Sequence, residues 1–153
     1  MSINLVSLNV NGIREKRKRN VIFNWLKSQC YEVCLLQETH CSSQSEVTEW
    51  SKEWSGKAFW SNGSSSSRGV ACLFKSNLDL EIINTEKDPN GRYVSVDFKI
   101  DDLCASVISI YAPNNNTDRK NFFVKLNDKL DHKTKQNANN NILIAGDFNC
   151  VLN

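Results

Sequence analysis

The chain has 153 residues, 40% of them hydrophobic and 24% charged, with a net charge of +2. That is the composition of an ordinary globular protein, long enough to bury a core as a single domain over 1–153. No apolar run approaches the roughly 20 residues of a membrane helix, and the N-terminus lacks a signal-peptide stretch, so no membrane partner and an intracellular location, nuclear or cytoplasmic, are expected.

Residues 3–10 carry Ile3, Leu5, Leu8 and Val10 in alternation and predict a strand ending at Asn11-Gly12. Val21, Ile22, Trp25 and Leu26 fall at helical spacing within 15–29, behind a dense basic cluster of Arg14, Lys16, Arg17, Lys18 and Arg19. Residues 33–37 are a second apolar strand. Strand, helix and strand make a right-handed crossover that sets both strand ends on one edge of a sheet. A Trp- and Ser-rich surface segment, 41–55, comes next.

Two hairpins are expected after it, pairing 57–60 with 69–74 and 80–84 with 92–100. The second turns at Lys87-Asp88-Pro89-Asn90-Gly91, where Pro and Asn-Gly are turn formers. Residues 103–111 form a further strand. A helix over 118–130, with Phe122, Phe123, Leu126 and Leu130 on one face, leads through a polar loop at 137–141 to a last strand at 142–145. The order predicts an α/β fold with a mixed sheet.

Six cysteines stand at positions 30, 34, 41, 72, 104 and 150, with no CxxC pair and no histidine at zinc-site spacing. Cys34, Cys72 and Cys104 lie in apolar runs and read as reduced core thiols.

Four apolar strands end in polar residues of one chemical kind. The first delivers Asn9 and Asn11, the second Glu38, the third Tyr111 and Asn114, the last Asp147 and Asn149. Ligands of open α/β sheets sit outside the carboxyl ends of strands, so these groups can share one crevice. Oxygen donors without thiolate or imidazole suit Mg²⁺ or Mn²⁺, and two neighbouring carboxylates are electrostatically consistent around such an ion. Its natural substrate is a phosphate ester.

Each residue alone has a plainer account. Glu38 can be an exposed strand-end acid, Asp147 a turn residue, Tyr111 an anchoring core phenol, and Asn11-Gly12 a simple turn. The conjunction of four such strand ends favours the site. His40, two residues past Glu38, belongs to a loop leaving the site, and His132 is solvated surface. Arg14 and Lys16 head a cluster that either contacts phosphates or is the solvated start of a helix overlapping an import signal. Trp50, Trp54 and Trp60 are read as packing rather than base-stacking residues.

Leu8-Asn9-Val10-Asn11-Gly12, Leu36-Gln37-Glu38-Thr39-His40, Ile110-Tyr111-Ala112-Pro113-Asn114 and Gly146-Asp147-Phe148-Asn149 resemble successive motifs of the endonuclease/exonuclease/phosphatase superfamily. The resemblance is to the apurinic/apyrimidinic-like endonuclease domain of non-LTR retrotransposons, and Arg68-Gly69-Val70-Ala71 and Gly91-Arg92-Tyr93-Val94 share it. It implies the N-terminal part of a two-sheet, deoxyribonuclease I-like α/β sandwich with outer helices and an incomplete second sheet. The implied activity is Mg²⁺-dependent nicking of DNA, leaving a 3′-hydroxyl to prime reverse transcription, in a polyprotein carrying a reverse transcriptase.

By the same resemblance Glu38, with Asn9 and Asp147, holds the metal. Tyr111 contacts the scissile phosphate, Asp147 handles the proton of the attacking water or leaving group, and Asn149 stabilises the phosphorane. Asn11, where many repair members carry Asp, and Asn114 support the substrate. Members of the family continue to a later Asp and a Ser-Asp-His motif. Lack of such groups costs on the order of 10²–10³ in rate each, so weak activity is expected of these residues alone. An apolar sheet face left bare is expected to favour self-association. Alternatives are a repair endonuclease or phosphatase of the same superfamily, or a non-catalytic nucleic-acid-binding remnant.

Overall fold

A computed structural model describes residues 2–136 and 141–150. The first four strands and two helices build one layer. They are β1 (Leu5–Asn9), α1 (Lys16–Ser28), β2 (Val33–Gln37), α2 (Gln44–Trp54), β3 (Lys57–Ser61) and β4 (Val70–Phe74). The sheet order is β1-β2-β4-β3, with β1 parallel to β2 and the other pairs antiparallel. The second layer holds β5 (Glu81–Lys87), β6 (Tyr93–Ile100), β7 (Leu103–Tyr111), α3 (Asn116–Gln136) and β8 (Asn141–Asp147). Its order is β5-β6-β7-β8, and only the β7–β8 pair is parallel. Both expected crossovers are present, each a parallel strand pair joined through a helix.

The two sheets face each other across a core of Val33, Leu35, Cys72 and Phe74 from one and Val94, Val96, Phe98 and Val107 from the other. Phe74 and Phe98 meet edge to face at 5.3 Å. The alternate residues Cys34, Leu36, Ala71 and Leu73 point outward, where Phe23 and Leu26 of α1 and Trp50 and Trp54 of α2 cover them. Strands β2 and β4 are thus buried on both faces, which is why they read as unbroken apolar runs. Ile108 and Ile110 on the outer face of the second sheet pack on Leu126, with Phe122 and Phe123 beside it.

This covering corrects one expectation. The first sheet has no bare apolar face among the described residues, because the second sheet occupies one side and α1 and α2 the other. The ground for self-association through an exposed sheet face disappears with it.

Segment 41–55 is also corrected, since most of it is the helix α2. Ser43 caps it, its hydroxyl accepting from Glu46 N–H at 3.2 Å, and the Glu46 carboxylate accepts from Ser42 N–H at 2.8 Å. Trp50 stacks edge-on with Trp60 at 5.8 Å, and the Trp54 indole N–H donates to Phe74 O at 2.8 Å. The tryptophans are packing residues, as expected. Strand β5 runs three residues further than the expected 80–84, and α3 extends to Gln136 rather than ending at 130. The expected polar loop lies outside the described residues except for Asn141, which opens β8. Cys34, Cys41 and Cys72 are buried, Cys104 is half-buried, and all six cysteines are free.

Candidate active site

The sandwich brings the carboxyl ends of β1, β2, β7 and β8 to one edge. Asn9 stands opposite Gln37, which precedes Glu38, and Tyr111 stands opposite Asp147. Backbone bonds fasten the loops that leave these strands: Gly12 N–H donates to Glu38 O at 2.6 Å, and Ala112 N–H to Asp147 O at 2.8 Å.

Asn9 joins the two sheets at this edge. Its Nδ2 donates to Glu38 Oε1 and to Asp147 Oδ2, each at 3.1 Å. Two carboxylates far apart in sequence are therefore held about a single amide. The Tyr111 phenol lies beside the Glu38 carboxylate. Burial first, then the neighbouring Glu38 and the charge of Asp147, hold its pKa above the ordinary value, so it remains a donor. Asn149 completes the arrangement: its backbone N–H donates to Asp147 Oδ1 at 2.9 Å and its Nδ2 to Ala112 O at 2.5 Å. A shallow cleft lined by Asn9, Gln37, Gly146, Asp147 and Asn149 opens beside the pair.

The backbone here is locally strained. Asn11 (φ 45°), Glu38 (φ 53°), His40 (φ 59°), Arg68 (φ 64°) and Asn149 (φ 48°) all adopt the left-handed region. Such a cluster persists only where surrounding structure enforces it, and functional sites are where it collects. Gly12 shows the crowding: a Cβ there would sit 2.5 Å from His40 Nδ1. Asn11-Gly12 is thus more than a surface turn.

The remaining candidates divide. The Asn11 backbone N–H donates to Asn9 Oδ1 at 3.0 Å, which orients the bridging amide, while its side chain is exposed. Asn114 is exposed at the start of the loop before α3. Its carbonyl accepts from Arg119, and among the described residues no hydrogen bond ties its side chain to Glu38 or Asp147. Arg14 is occupied by Glu46 at 2.5 Å and by His40 O at 3.1 Å. Lys16 reaches Glu53, at 4.0 Å, and is well exposed.

His40 does not leave the site as expected. Its Nε2 lies 3.6 Å from Glu38 Oε2 and is buried without a hydrogen bond among the described residues, because Gly12 lets the ring fold back against the strand end. Arg92 enters the sequence reading as the start of a strand and within the Gly91-Arg92-Tyr93-Val94 resemblance, with no site role. Its guanidinium lies 5.4 Å above the Tyr111 ring and donates to Tyr111 O at 3.1 Å. The Gly-Arg pair after a turn is the one signal of it that the sequence offers.

Among the described residues, no cluster of three or more His, Cys, Asp and Glu side chains is arranged as a metal centre. The donor set still fits a hard divalent ion: two carboxylates, from Glu38 and Asp147, converge with only oxygen and amide chemistry between them. Asn9 Nδ2 now fills the place a cation would take. Asn9 supplies an oxygen ligand only if its amide turns over, giving up the bond from Asn11 N–H.

Residues 6–153 match the Endonuclease/Exonuclease/phosphatase family. The chain belongs to this family. Over 152 residues it is 28% identical to the "Transposon TX1 uncharacterized 149 kDa protein" of Xenopus laevis, covering 99% of this chain and 11% of that protein. Among solved structures, truncated Caenorhabditis elegans TDP2 superposes with a TM-score of 0.74 at 15% identity, covering 97% of this chain and 63% of that one. D. rerio TDP2 in complex with a single-stranded DNA product gives a TM-score of 0.70 at 14% identity, covering 98% and 62%. These likenesses establish the family's α/β sandwich here, with a transposon protein as a relative.

Proposed function

We propose that residues 1–153 carry part of a metal-dependent phosphodiesterase, a DNA-nicking endonuclease of the retrotransposon type. The observation that supports this most is Asn9 Nδ2 within 3.1 Å of both Glu38 and Asp147, with the Tyr111 phenol beside Glu38. Membership of a family of nucleases and phosphatases, and a transposon relative, support a DNA substrate.

Glu38 and Asp147, with Asn9 turned over, would hold Mg²⁺ or Mn²⁺. Bound there, the ion would polarise a phosphoryl oxygen and acidify a water. Asp147 Oδ1 is anchored by the Asn149 N–H, which leaves Oδ2 to take the proton of an attacking water once Asn9 moves. Tyr111, kept protonated, donates to a non-bridging phosphate oxygen. The second N–H of the Asn149 amide, beyond the one given to Ala112 O, would be left to donate to the same developing charge. A partner reverse transcriptase in a longer polyprotein belongs to the same proposal.

Calorimetric titration with Mn²⁺, paired with nicking of supercoiled plasmid, tests the reading. Glu38→Ala should abolish metal binding and with it any metal-dependent nicking. Metal binding that survives Glu38→Ala, or hydrolysis of a small phosphomonoester without any DNA cleavage, would overturn it in favour of a phosphatase or a different site.

A further inference from the structure

We propose that His40 is a positioning residue for Glu38: its Nε2–H holds the Oε2 oxygen of that carboxylate while Oε1 is given to a divalent ion. The inference rests on the metal-dependent reading above and deepens it, assigning a residue that the strand-end pattern leaves out.

The orphaned ring nitrogen is the starting point. His40 Nε2 is buried, lies 3.6 Å from Glu38 Oε2 and has no hydrogen bond among the described residues. A buried polar group left unmet costs stability, and natural interiors keep few of them. A side chain placed here for packing alone would avoid that cost by being apolar.

The ring is also held where it is. His40 N–H donates to Arg68 O at 2.9 Å, and its carbonyl accepts from Arg14 Nη1 at 3.1 Å. Just before it, Thr39 N–H donates to Gly69 O at 3.0 Å, and Gly69 N–H donates to Gly91 O at 2.9 Å, which clasps this loop to the second sheet. Glu38 and His40 both take left-handed backbone, at φ 53° and 59°. Carboxylate and imidazole are therefore brought together by enforced, unfavourable backbone, the kind of arrangement that collects where geometry serves a site.

The two oxygens of Glu38 then have separate duties. Oε1 now accepts from Asn9 Nδ2 at 3.1 Å, and that bond is given up when the amide turns over for the ion. Oε2 is left as the oxygen that fixes the carboxylate's orientation. Bringing the 3.6 Å separation to an ordinary N–H···O length takes about half an ångström. Metal-binding carboxylates are steadied by such outer hydrogen bonds, and one from an N–H to a charged oxygen is among the stronger kinds. Gly12 sets the limit on the other side, since a Cβ there would sit 2.5 Å from Nδ1 and drive the ring past that distance into the carboxylate.

Calorimetric Mn²⁺ titration of the 153-residue chain and two variants tests the assignment. His40→Leu should weaken Mn²⁺ binding by about 10–100-fold. His40→Gln, whose amide N–H can reach the same oxygen, should recover most of that loss. Urea midpoints of both variants separate positioning from packing: a structural role requires affinity to follow stability, whereas the proposal requires glutamine to restore affinity whatever its midpoint. Long-range ¹H–¹⁵N correlation NMR on the metal-free parent gives a readout independent of any ion, and should find a hydrogen on His40 Nε2. Unchanged Mn²⁺ affinity in His40→Leu, equal losses in both variants, or a ring protonated at Nδ1 alone would each overturn the role of His40 while leaving the nuclease reading intact. A parent chain that binds no Mn²⁺ would instead remove the nuclease reading, and this inference with it.

Discussion

Gln37→Leu probes how the site is supported from below. Gln37 is 2% exposed and reaches across the sandwich. Its Nε2 donates to Ser109 Oγ of β7 at 3.1 Å, to Ser7 Oγ at 3.2 Å and to Leu35 O at 3.2 Å. Leucine has nearly the same volume, so the cavity term is small, and the loss is that of the polar contacts. Neutral hydrogen bonds contribute about 0.5–1.5 kcal/mol each, and an amide has two protons to give. The orphaned partners recover part of this. Ser109 keeps its bond to Leu36 O at 3.3 Å, and Ser7 is exposed to water. A net destabilisation of about 1–2 kcal/mol is expected in urea unfolding followed by tryptophan fluorescence. A double-mutant cycle with Ser109→Ala should return a coupling of about 0.5–1.5 kcal/mol. A Gln37→Leu protein as stable as its parent, or a vanishing coupling, would refute the idea that this amide ties the sheets together.

Gly12→Ala should destabilise by about 1–2 kcal/mol from the left-handed backbone alone, and should also weaken Mn²⁺ affinity by pushing His40 toward Glu38. Unfolding and calorimetry together check it, and full stability with unchanged affinity would remove the role given to that glycine. Burial pushes the thiols of Cys34 and Cys41 up to about 12 from 9.0. Their raised native pKa values give a stability contribution that is complete below pH 9 and lost as pH rises toward 12. A thiol reagent at pH near 8 should label exposed Cys30 and Cys150 promptly, and Cys34, Cys41 and Cys72 only as fast as the protein unfolds. Prompt labelling of Cys34, located by mass spectrometry, would contradict the packing described.

The sandwich was legible because its central strands are short apolar runs and its crossovers are amphipathic helices, as in 33–37 and α3. The helix α2 was not, although Ser43 and Glu46 have capping spacing and Val47, Trp50 and Trp54 share one face. Serine and tryptophan content suggested surface, while periodicity pointed the other way. At the site, the strand-end pattern located Asn9, Glu38, Tyr111 and Asp147, because a strand's direction fixes where its last residue goes. It did not locate His40 or Arg92. Their positions depend on left-handed backbone at Glu38 and His40 and on a clasp between two glycines, which strand periodicity does not encode. The pairing of Arg14 and Arg19 was not legible for a related reason: a run of like charges says nothing about the glutamates that α2 brings to meet it.

Glu38 rides on one layer of the sandwich and Asp147 on the other. Neither layer alone contains the acid pair, and what holds the spacing is packing between layers rather than either hydrogen-bonded ladder. A small slide of one layer across the other would part the acids while every strand stayed paired. Mild denaturant should then silence metal capture before circular dichroism registers any melting, making the ion a gauge of interlayer alignment.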